Sequence, residues 1–145
     1  MVTEDKTLAS FKEICRRICL NIPAACRWEW DEKRGTALIV LENPDAELVY
    51  FPLLREFRDR WNFTTGQPDT AAARLLDSEY GLLPGQTFFA SPPVENLVLF
   101  VAWWPWGRPQ TVSMRVGILP LDAERPPGFA FTLLSRWLPL NGRVP

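Results

Sequence analysis

Residues 96–119, NLVLFVAWWPWGRPQTVSMRVGIL, decide the fold. Leu97 to Ala102 contains no polar residue, so a strand there must be covered on both faces. Pro105-Trp106-Gly107-Arg108-Pro109 interrupts the run with residues that favour turns. From Gln110 to Leu119 the pattern alternates: Val112, Met114, Val116 and Ile118 point one way, and Thr111, Ser113 and Arg115 the other. Two such segments joined by a short loop predict a β-hairpin, and a sheet grown from a hairpin is antiparallel.

Upstream lies a second hairpin. Residues 25–32 alternate, with Cys26, Trp28 and Trp30 inward and Arg27, Glu29 and Asp31 outward. Lys33-Arg34-Gly35 is the turn, and Thr36 to Leu41 returns as an inner strand. Ahead of it, Leu8, Phe11, Cys15, Ile18 and Ile22 recur at spacings of three and four, widened by Ile14 and Cys19. That stripe predicts an amphipathic helix over residues 4–21, capped by Thr3 and stopped by Pro23.

Between the hairpins, Asn43-Pro44-Asp45 reads as a turn and Glu47 to Phe51 as a third strand. Pro52 then opens a helix reaching Trp61, with Leu53, Leu54, Phe57 and Trp61 on its apolar face. Asp69 caps a helix from Thr70 to Tyr80, closed by Gly81, and Phe88-Phe89 reads as a brief edge strand. Beyond the central hairpin, Phe129 to Leu138 reads as a helix, with a strand over Phe129 to Leu134 as the competing assignment.

The predicted order is α-β-β-β-α-α-(β)-β-β-α. It specifies an α+β fold: one antiparallel sheet of about four to six strands built from hairpins, with helices packed mainly on one face. The 145 residues form a single domain, 1–145, with residues 1–3 and 140–145 frayed. In element order alone the chain resembles several small α/β sandwiches, among them the type III secretion chaperones, which are acidic dimers of similar length. That likeness implies a chaperone-like binding role.

Composition narrows the chemistry. Hydrophobic residues make up 47% and charged residues 23%, as in ordinary globular domains. The net charge of −1 argues against a nucleic-acid binder, because phosphate neutralisation needs a basic surface. There is no histidine, so His-based nucleophilic triads and His-ligated metals are excluded. The polar N-terminal stretch MVTEDKTLASF and the absence of a long apolar segment predict a cytoplasmic chain without a membrane span. Cys15, Cys19 and Cys26 fall on or near buried stripes and read as structural thiols. No cofactor or metal motif is present. Asp31, Glu32, Glu42, Asp45 and Glu47 read as solvated carboxylates near turns. Arg55, Arg58 and Arg60 read as a solvated helix face, pairing Arg55 with Asp59 and Glu56 with Arg60.

Seven tryptophans is a high count for one small domain. Trp103 and Trp104 are consecutive in a strand, so they point to opposite faces. If only one face is helix-covered, the other carries an indole in need of a cover, and tryptophan is enriched at binding hot spots. The partner-binding candidates are therefore Trp103, Trp104, Trp106 and Arg108. Two functions follow. One is a non-enzymatic interaction module binding another protein, itself, or both as a dimer. The alternative is a small-molecule-binding module, or a histidine-independent enzyme, with a Trp-lined pocket.

Overall fold

The computed structural model of the chain describes residues 7–107, 110–122 and 125–140. Its ten elements are α1 (Ala9–Leu20), β1 (Glu29–Asp31), β2 (Thr36–Glu42), α2 (Asp45–Glu56), β3 (Asp59–Asn62), α3 (Ala71–Tyr80), β4 (Thr87–Ala90), β5 (Leu97–Trp106), β6 (Thr111–Pro120) and α4 (Phe129–Leu134). The strands form one six-stranded sheet in the order β1-β2-β6-β5-β4-β3, antiparallel throughout. This is an α+β fold built on the predicted hairpin, with β5 and β6 at the centre.

The two-residue period of the strands sorts the core into two layers. Leu97, Leu99, Val101 and Trp103 of β5 join Val112, Met114, Val116 and Ile118 of β6 on one face. The stripe of α1 (Phe11, Cys15, Ile18), Val49 and Leu53 of α2, and Leu133 and Leu134 of α4 pack there. Val98, Phe100 and Ala102 face the other way and meet Trp61, Phe88, and Ala73 and Leu76 of α3. Three helices thus cover one face and α3 covers part of the other.

Gly117 makes the second layer possible. It lies opposite Phe100 in the β5–β6 register, and a Cβ there would sit 2.5 Å from Phe100 Cε1. Without a side chain at residue 117, the Phe100 ring lies flat over the neighbouring strand.

Several expectations need correction. Glu47 to Phe51 is not a strand: it lies inside α2, which starts at Asp45. Ala46, Val49 and Leu53 give that helix a buried face, but Leu48 and Phe51 remain exposed and blur the 3.6-residue pattern. Pro52 sits within the helix, not at its start. The helix stops at Glu56, and Trp61 belongs to β3. The expected helical pairs of Arg55 with Asp59 and Glu56 with Arg60 have no shared helix, and Glu56 instead pairs with Arg17 at 3.0 Å. Phe88-Phe89 belongs to an inner strand, paired with both β3 and β5. The central hairpin runs on through Trp106, where a loop was expected. Leu140 is buried and bridged to Trp28, so residue 140, expected to be frayed, is held in place. Residues 1–6 and 141–145 lie outside the described residues, including the expected Thr3 cap.

Candidate functional site

Trp103, Trp104 and Trp106 meet three different environments. Trp103 is only 6% exposed and packs into the three-helix face, its ring centroid 5.1 Å from that of Tyr50. Trp104 points to the opposite face, as its adjacency to Trp103 requires. There it meets Tyr80 and Phe88, with centroids 6.1 and 6.4 Å away. Trp106 shares the face of Trp104 but lies beyond the reach of α3 and is 54% exposed. Its indole N–H donates to Ser113 Oγ at 2.9 Å. Arg108, the fourth sequence candidate, lies outside the described residues.

The cover over Trp104 comes from within the chain. The Arg115 guanidinium carbon lies 5.1 Å from the Trp104 ring centroid and that of Arg34 lies 5.8 Å away. Both are within cation–π range. Arg115 is buried, an uncommon state for arginine that requires a partner. Asp31 of β1 supplies it, accepting from Arg115 Nη1, and Thr36 Oγ1 lies 3.4 Å from the same nitrogen. Asp31 Oδ1 also accepts the backbone N–H of Lys33 at 3.1 Å, and the Tyr80 hydroxyl donates to the Arg34 carbonyl at 3.1 Å. Burial alone would raise the pKa of Asp31. The hydrogen bond from Arg115, helped by the Arg34 backbone N–H and both positive charges, outweighs it and holds the carboxyl below its usual range. Burial pushes the Tyr80 hydroxyl up to about 12.

Sequence reading placed Asp31 and Arg115 on outward strand positions, Asp31 as a solvated carboxylate, and so missed this cluster. The alternation was right, since neither faces the three-helix core. The register Asp31↔Thr36, Leu38↔Arg115 and Arg115↔Ala102, which brings them beneath Trp104, is long-range information.

Past Arg115, the same sheet face is open. Val40 of β2 is 45% exposed and lies opposite Ser113, which bonds Trp106. Leu38 is half-buried, and Glu42 closes the row opposite Thr111. The result is a strip on this face with Val40 on β2, Trp106 on β5, Ser113 and Thr111 of β6 between them, and Leu38 at one end.

The structure has two concave regions of note on the three-helix side. A wide cleft of about 890 Å³ lies between the β1–β2 turn and α4, lined by Trp30, Ile118, Arg125, Phe129 and Phe131. A smaller pocket of about 340 Å³ lies at the start of α2 against Trp103. Among the described residues no group of three or more His, Cys, Asp or Glu side chains is arranged to hold a metal ion. Cys15 is buried, Cys19 and Cys26 are half-buried, and all three are free thiols. Among the described residues no helix is long and apolar enough to cross a membrane. Compared with known proteins, the chain matches no family model, no curated protein and no solved structure.

Proposed function

We propose that this chain is a non-enzymatic interaction module that binds another protein, or a second copy of itself, through the open strip of its sheet. The observation that carries the reading is Trp106, more than half exposed on the sheet face that α3 covers only in part and that also carries the exposed Val40. An indole held by one hydrogen bond to Ser113 is already oriented, so a partner covering it pays little ordering entropy. The same strip shows no grouping of nucleophile, base and orienting group of the kind catalysis requires. Its ionised groups are the single carboxylate of Glu42, which closes the row, and the pair Asp31 and Arg115, which are committed to each other.

The test uses Trp106→Ala and Val40→Asp, both at exposed positions, so the domain should stay folded. Sedimentation velocity across a range of concentrations measures self-association, and quantitative affinity capture of the wild-type chain measures binding to other proteins. Loss of a central hot-spot aromatic should weaken association by roughly thirtyfold. The reading fails if both variants associate as the wild type does, or if the wild type neither self-associates nor retains a protein that the variants lose.

A further inference from the structure

We propose that the pocket beside Trp103 binds a small organic cation, an alkylamine or quaternary ammonium. It is on the opposite face of the sheet from Trp106 and stands independently of the interaction strip.

Three aromatic rings from two elements converge there. Tyr50 and Phe51 come from α2 and Trp103 from β5. The Tyr50 centroid lies 5.1 Å from that of Trp103 and 6.2 Å from that of Phe51. Aromatic faces carry negative potential and attract a cation within about 6 Å of their centroids. The helix adds charge. Glu47, Tyr50 and Phe51 stand at i, i+3 and i+4, so one side of α2 presents a carboxylate and two rings together. Glu47 is exposed and takes part in none of the side-chain ion pairs among the described residues.

The remaining lining selects by sign. Asn43 and Gln110 are neutral amides, and no Lys or Arg among the described residues lines the pocket. An anion would meet Glu47 with no cation among the described lining residues to balance it. An uncharged apolar ligand would gain nothing from that carboxylate, which is exposed and hydrated. A cation satisfies the rings and the carboxylate at once. The volume of about 340 Å³ is at the small end for ligand pockets, which suits a compact amine. The arrangement also accounts for Phe51, a phenyl ring left 60% exposed on a helix that has a buried face available to it.

The experiment is an NMR titration of the isotope-labelled full chain with choline and with 3,3-dimethyl-1-butanol, its uncharged carbon counterpart. The Trp103 indole resonance, assigned with Trp103→Phe, reports binding. Choline should shift it saturably, and the neutral compound should bind roughly tenfold more weakly or less. Glu47→Gln and Phe51→Ala, both at exposed positions, should each weaken choline about fivefold with the rest of the spectrum unchanged. Equal binding of the two compounds would overturn the proposal, because the pocket would then be merely apolar. So would full choline affinity in both variants, or no saturable shift at concentrations on the order of 10 mM.

Discussion

Replacing Asp31 by asparagine isolates the contact that closes the sheet over Trp104. Asp31 accepts from Arg115, whose side chain is 9% exposed, while its own is 19% exposed. Removing one member of a buried pair strands the other charge and typically costs about 3–5 kcal/mol. Two features lower that figure here. Asp31 keeps some contact with water, and Arg115 retains the Trp104 face. Asparagine also preserves an oxygen for the Lys33 N–H. The expected loss is therefore roughly 2–3 kcal/mol, nearer the price of a charged hydrogen bond than of a fully buried pair. The pH dependence has a fixed sign. The folded pKa of Asp31 is lowered, so its contribution is fully present above the unfolded value near 3.8 and is lost as pH falls through the folded value. Urea denaturation of both proteins at pH 7 and at steps down to pH 2 measures this. The gap between wild type and Asp31→Asn should be constant from pH 7 to about 5 and close below 4. A gap under ~0.5 kcal/mol at pH 7, or one that persists unchanged at pH 2, would show that Asp31 does not hold Arg115 in place.

Gly117→Ala should destabilise the domain by about 1–3 kcal/mol, because the added Cβ meets the Phe100 ring and that ring is walled in by Tyr80. Thermal melts of Gly117→Ala, Phe100→Leu and the double variant should show non-additivity, the smaller side chain relieving part of the clash; strict additivity would mean the two residues do not touch. In the native protein, thiol labelling at pH 8 should modify Cys26 first and leave Cys15 unmodified until unfolding, since Cys15 is buried and burial raises its pKa, while Cys19 is pushed up to about 11. Rapid native labelling of Cys15 would contradict its place against Phe11 and Ile18.

The parts of the fold legible in the sequence were those where local pattern and tertiary burial agree. The stripe of α1 and the alternation of β6 are each read by one neighbouring layer, so a period of 3.6 or 2 survives intact. The misreading of α2 has a specific cause. Leu48-Val49-Tyr50-Phe51 is a run of strand-prone residues, and only Val49 of the four is fully buried. Leu48 and Phe51 fill positions where a helix in water would carry polar side chains, so the apolar stripe is lost. For the candidate site, the opposed faces of Trp103 and Trp104 were legible from adjacency alone. The chain's own cover over Trp104 was not, because it depends on strand register between segments 84 residues apart.

These exceptions fall in a pattern. A sequence selected only for folding would place polar residues at 40, 51 and 106, since none of the three side chains is needed to complete a core layer. Trp104 shows what this chain does with an aromatic group that only has to be covered: it is packed against Tyr80 and Phe88 and roofed by Arg115, itself neutralised by Asp31. The apparatus for shielding an indole exists one turn of the pleat away from Trp106 and stops short of it. Val40 and Trp106 lie on one side of the sheet and Phe51 on the other. Single exposed apolar side chains are ordinary on protein surfaces. Exposed ones that are also held, Trp106 by Ser113 and Phe51 by Tyr50, combine the free-energy cost of exposure with a fixed orientation, and the two proposed binding roles rest on them.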